Sequence, residues 1–91
     1  MYILISYDIS DDKRRSKVAK LLEDYGIRVQ YSAFECLLDE GALLSLRRQL
    51  QEVIDYQGDS IRFYRLCKRC RSAIDILGLG IIHSKEDFYI I

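Results

Sequence analysis

The sequence predicts an α+β fold: a small antiparallel sheet with two helices laid on it. Three observations predict this. The chain has 91 residues, enough for one domain (1–91) with no room for a second. Apolar residues alternate in some segments and recur at three-and-four spacing in others. Segments of the two kinds follow one another in the order strand, helix, extended stretch, helix, strand.

Tyr2 to Ile9 is a run of β-branched and aromatic residues and reads as a strand. Ser10 or Asp11 can cap the helix that follows, with Asp11 and Asp12 at the positive end of its dipole. In that helix Val18, Leu21, Leu22 and Tyr25 form one apolar face, and Lys13, Lys17 and Lys20 lie on another. Gly26 suits a stop just past its end. Ile27 to Leu38 is extended in character and fits one bent strand or two short ones. Asp39 can cap a second helix with Leu43, Leu46, Leu50 and Val53 as its inward stripe. Gly58 and Asp59 suit a turn, and Ile61 to Leu66 alternates as a strand. Ile74 to Ile82 is apolar around Gly78 and Gly80, and Asp87 to Ile91 reads as an extra C-terminal strand.

The resulting order, β-α-β-β-α-β plus a terminal strand, fits the ferredoxin-like arrangement, in which both helices lie on one sheet face. In the first strand Ile3, Ile5 and Tyr7 point one way, and Tyr2 and Leu4 the other. Two helices cover only one of these faces. An apolar second face predicts a partner surface, most simply a two-fold homodimer. Phe88 to Ile91 can add to a sheet edge in its own subunit or its partner's.

Composition excludes several classes. At 49% hydrophobic and 31% charged, the chain is not disordered in character. Fourteen bases balance fourteen acids, which excludes a uniformly basic binder but not a basic patch. No segment approaches the roughly 20 apolar residues of a membrane span. Met1 to Ile9 has no basic leader, so we expect no signal peptide. Three cysteines without an export signal read as reduced thiols in a cytoplasmic protein.

Asp8 is the first candidate for chemistry. A carboxylate ending an apolar strand must be hydrogen-bonded, paired or bound to a cation. It suits accepting backbone N–H bonds near the first helix. A two-fold axis would alternatively bring two copies of Asp8 around one octahedral cation and a phosphate. Tyr7 beside it suits the core or an interface, and less readily base stacking. Lys13, Arg14, Arg15, Lys17 and Lys20 form the densest basic run, as a phosphate backbone requires. Arg62, Arg65, Lys68, Arg69 and Arg71 form a second, interleaved with Phe63 and Tyr64. On an ideal strand Arg28, Gln30, Ser32 and Phe34 share one face and offer phosphate or sugar contacts, or else serve strand pairing and packing. Cys67 and Cys70 form a lone CxxC that lacks a complete zinc set even with Cys36 and His83, and His83 reads as a surface residue.

Tyr7-Asp8-Ile9, Asp12-Lys-Arg-Arg15, Arg28-Val-Gln-Tyr-Ser-Ala-Phe-Glu-Cys36 and Asp59-Ser-Ile-Arg-Phe-Tyr64, in this order, resemble the CRISPR-associated Cas-two family. The Arg28-to-Glu35 block is the most specific part. The resemblance runs to about Cys70 and is loose after Arg71. It implies a ferredoxin-like homodimer that exchanges its C-terminal strands, here about residues 80–91. It further implies a dimer that bridges the Cas-one integrase during capture of spacer-precursor DNA. It also implies a magnesium-dependent endonuclease acting on single-stranded RNA or double-stranded DNA. The family's metal-site aspartate falls on Asp8 and its accompanying tyrosine on Tyr7. Its basic and polar positions fall on Arg15, Lys17, Arg28, Ser32 and Phe34. Lys17 stands where a relative can have arginine, which weakens the case for a bidentate phosphate contact there. A purely structural, non-catalytic subunit is the alternative, since one carboxylate per chain is thin for catalysis. A ribonuclease toxin of a toxin–antitoxin module shares the fold but not the Arg28-to-Glu35 block.

Overall fold

The computed structural model describes residues 1–67. The expected CxxC partner Cys70, His83, the basic residues Lys68, Arg69 and Arg71, and the terminal strand with its exchange lie outside the described residues.

Six elements follow in order: β1 (Tyr2–Asp8), α1 (Asp12–Glu23), β2 (Gly26–Gln30), β3 (Ala33–Leu37), α2 (Glu40–Val53) and β4 (Ser60–Leu66). The sheet order is β2-β3-β1-β4, with every neighbouring pair antiparallel. Each helix therefore links two parallel strands with a third inserted between them, which is the doubled split β-α-β of the ferredoxin-like arrangement.

Each helix starts on a side-chain cap. Asp11 accepts from the Arg14 N–H and Asp39 from the Ala42 N–H, at 2.9 and 2.7 Å. Such caps contribute about 1 kcal/mol each. α1 ends at Glu23, with Asp24 as its C-cap. Gly26 therefore does not stop the helix. It opens β2, where a Cβ would lie 2.4 Å from the Cys36 Sγ and 2.5 Å from the Glu35 carbonyl oxygen. Only glycine permits that approach between β2 and β3.

The core lies between the helices and one sheet face. Ile3, Ile5 and Tyr7 of β1 and Phe34 and Cys36 of β3 meet Val18, Ala19 and Leu22 of α1 and Leu43, Leu46 and Leu50 of α2. Burying each large aliphatic side chain contributes roughly 1.5–3 kcal/mol. Leu21, Tyr25 and Val53 only flank this core. The expected α1 stripe is thus rotated toward Ala19. The other face carries Leu4, Glu35, Tyr64 and Ile27 in one row across the sheet. Glu35, with 2% exposure, makes this face less purely apolar than the β1 alternation predicts.

The extended stretch is two strands. Tyr31 and Ser32 form the turn, and a bulge lies between Arg28 and Gln30. Arg28 pairs with Phe34, but Gln30 pairs with Ala33. The expected single face of Arg28, Gln30, Ser32 and Phe34 is therefore corrected. The shifted register turns Gln30 to the side opposite Arg28 and Phe34. Among the described residues no helix is long and apolar enough to cross a membrane.

Candidate nucleic-acid interface and Asp8 site

Strand alternation separates Tyr7 from Asp8. Tyr7 is buried on the helix side; Asp8 is exposed at the end of β1 on the opposite face. The Tyr7 hydroxyl donates to the Tyr31 carbonyl at 3.1 Å, and its ring stacks near Phe34 at 6.4 Å between centroids. Burial pushes this hydroxyl above the usual phenol range, against the lowering charges of Arg28 and Arg15, while Glu23 raises it further. The side chains of Tyr7 and Asp8 therefore leave β1 on opposite faces.

Asp8 opens instead into a small polar depression of about 220 Å³, lined by Ser6, Tyr7, Asp8, Ser60 and Arg62. The register explains it: Ser6 faces Arg62 and Asp8 faces Ser60 across β1 and β4. Arg62 is therefore the diagonal neighbour of Asp8. Its guanidinium is held above its ordinary range, first by a hydrogen bond with Tyr64 and less by the Asp8 charge. Sequence reading placed Arg62 in a basic cluster but not at this site. The readable signal was the Ser60, Arg62, Tyr64 alternation, which puts polar groups on the face Asp8 occupies.

The basic residues divide by environment. Lys13 and Lys17 are exposed on α1, and Lys17 shares an open depression between the helices with Lys20, Asp24 and Glu52. Arg15 donates to the Ile9 and Ser10 carbonyls at 3.0 and 3.3 Å and pairs with Asp12. Arg14 is committed elsewhere. Its Nε donates to Asp59 Oδ2 at 2.7 Å and its Nη2 to Oδ1 at 3.2 Å. Asp59 also accepts from the Asp55 N–H at 2.9 Å, and its side chain has no exposure. Arg14, expected as a nucleic-acid contact, is thus engaged within the chain in this structure. Its guanidinium already satisfies an enclosed carboxylate.

Arg28 is exposed, with its guanidinium carbon 5.2 Å from the centre of the Phe34 ring. Phe34 itself is fully buried. Its ring, expected as a nucleic-acid contact, is enclosed by the helix-side core in this structure. Ser32 is half-buried, and its carbonyl accepts from the Tyr7 N–H at 2.9 Å.

The model of the family described as CRISPR associated protein Cas2 matches residues 1–74. The chain belongs to the CRISPR-associated Cas2 family. A relative named CRISPR-associated endoribonuclease Cas2 1, from Chloroflexus aurantiacus, is 53% identical over the full length of both chains. The crystal structure of Streptococcus pyogenes Cas2 matches with a TM-score of 0.80 at 40% identity, covering 86% of this chain and 100% of that one. A chain in a partial Cas6-RT-Cas1–Cas2 complex matches with a TM-score of 0.74 at 30% identity, covering 91% of this chain and 97% of that one.

For a Cas2-family chain the donors at Asp8 have the right hardness for magnesium: a carboxylate with the hydroxyl-bearing Ser6 and Ser60 around it. Their number falls short. Among the described residues no group of three or more His, Cys, Asp or Glu side chains converges. The described residues offer a single carboxylate at this position, so by themselves they fit a cation when a second copy contributes its own.

Proposed function

We propose that this Cas2-family chain acts as a homodimeric subunit of a CRISPR spacer-acquisition complex. In it the chain binds nucleic acid and, with a divalent cation, hydrolyses phosphodiesters of single-stranded RNA or double-stranded DNA. The observation that carries the catalytic part is the exposed Asp8, which opens into one polar depression with Arg62, Ser6 and Ser60. The names of the relatives and the Cas1–Cas2 complex among the similar structures support the assignment to adaptation and to an integrase partner.

Two Asp8 carboxylates across a two-fold axis would hold magnesium, which when bound offsets phosphate charge and acidifies a water. Arg62 then supplies a guanidinium fork beside the same phosphate. Ser6 and Ser60 offer hydroxyls that can hold its remaining oxygens. Lys13, Lys17 and Arg28 hold the flanking backbone. Tyr7 acts by fixing the end of β1 from the core side.

The single carboxylate at this site among the described residues favours a second reading, a non-catalytic bridge between integrase subunits. One comparison separates the two. Wild type and Asp8→Asn are assayed on single-stranded RNA and duplex DNA, with and without magnesium, with dimer mass and circular dichroism as controls. Cleavage that needs magnesium and vanishes in folded, dimeric Asp8→Asn is expected. Cleavage that survives this substitution, or none by the wild type, leaves the bridge.

A further inference from the structure

Tyr31 is the most exposed of the large hydrophobic side chains among the described residues, at 80%. It sits at the tip of the β2–β3 turn, and that turn is held at two points. The Tyr7 hydroxyl donates to the Tyr31 carbonyl at 3.1 Å, and the Tyr7 N–H donates to the Ser32 carbonyl at 2.9 Å. The ring is therefore presented on a backbone anchored to the central strand, so little ordering is needed when a partner lands on it.

Arg28, exposed in β2 three residues before Tyr31, brings a cation to this hairpin. Arg28 is further fixed over the Phe34 ring. An exposed aromatic ring on a hairpin that also carries a fixed guanidinium matches unpaired nucleotides, whose bases offer a stacking face and whose phosphates offer negative charge. A duplex hides its base faces and uses only the charges.

We propose that Tyr31 is a base-stacking platform that gives this corner a preference for single-stranded over duplex nucleic acid, with Arg28 on an adjoining phosphate. The assignment rests on the nucleic-acid-binding reading above and adds the strandedness of the ligand to it.

The test is fluorescence anisotropy of the full chain in EDTA, which removes cleavage from the readout. The probes are a labelled oligouridylate and a labelled DNA duplex, titrated at several salt concentrations. Tyr31→Ala is expected to weaken oligouridylate binding about tenfold. Its salt slope should not change, since a ring releases no counterions. Tyr31→Phe should bind as wild type does, and duplex affinity should stay unchanged in both variants. Wild-type affinity for oligouridylate in folded Tyr31→Ala overturns the platform, as does an equal loss on both probes. Loss in Arg28→Ala without loss in Tyr31→Ala leaves nucleic-acid binding standing and removes the stacking. Wild-type protein that binds neither probe overturns both readings together.

Discussion

Arg14 and Asp59 are joined by two parallel hydrogen bonds across 45 positions of sequence, tying the first turn of α1 to the loop that enters β4. The carboxylate is enclosed, while the guanidinium stays about one-third exposed. The pair therefore positions the start of β4, and with it Ser60 and Arg62 opposite β1.

Asp59→Asn should lower the melting temperature at pH 7 by several degrees, because an enclosed carboxylate loses its charge-assisted bonds. The sign of the pH dependence follows from the pair. Hydrogen bonding from Arg14, then from the Asp55 N–H, holds the Asp59 carboxyl below its ordinary value of 3.8. Its stabilisation is complete above that value and disappears as the pH falls through the depressed one. In thermal melts of both proteins from pH 7 downward, the deficit should be constant above 3.8 and narrow as the pH falls below it. A deficit that stays constant there would dismiss the ionised pair as the cause.

Binding and stability should separate among neighbouring bases of α1. Lys13→Ala with Lys17→Ala should weaken duplex binding and reduce the log–log salt slope by about 1.8, since each lost phosphate contact removes about 0.9. Arg14→Ala should lower the melting temperature and leave the slope in place. The reverse assignment, with the slope tracking Arg14, would mean that the guanidinium leaves Asp59 for phosphate.

The division between Lys13 and Arg14 marks what the sequence could and could not disclose. β1, both helices and β4 were legible because their apolar spacing repeats within each element, and Asp11 and Asp39 announce their helix starts locally. The β2 bulge was not legible, because one extra residue in a short strand leaves no periodic trace. Asp8 stood out as a carboxylate at the end of an apolar strand. Its neighbour Arg62 did not, because the register of β1 against β4 is set by the whole sheet. Arg14 looked free because its partner comes from the far side of α2.

Gly26→Ala should destabilise the fold by about 1–3 kcal/mol, the usual cost of forcing atoms into a packed site. The added methyl meets both the Cys36 Sγ and the Glu35 carbonyl oxygen. Urea titration of Gly26→Ala with Cys36→Ala should show only partial recovery, because the backbone contact remains. Full recovery would locate the whole constraint in the thiol.

Cys36 should resist thiol reagents in the native protein. Burial, with a smaller contribution from the Glu35 charge, pushes its thiol up to about 12, so almost no thiolate exists at neutral pH. Cys67 is exposed. Timed alkylation at pH 8 with peptide mass spectrometry should therefore modify Cys67 well before Cys36. Comparable rates without denaturant would show that β3 opens readily.

The placement of Tyr7 in the core and Asp8 on the opposite face constrains the chain's tolerance to insertion and deletion. Adding or removing one residue within β1 would exchange the two faces from that point on, sending a carboxylate among the leucines and a phenol ring to the outside. The hydrophobic identities at Ile3 and Ile5 can drift among residues of similar volume, but the number of residues between them and Asp8 cannot change by one. Variation in this strand should therefore be confined to substitutions, with changes of length falling in the loops that join it to its neighbours.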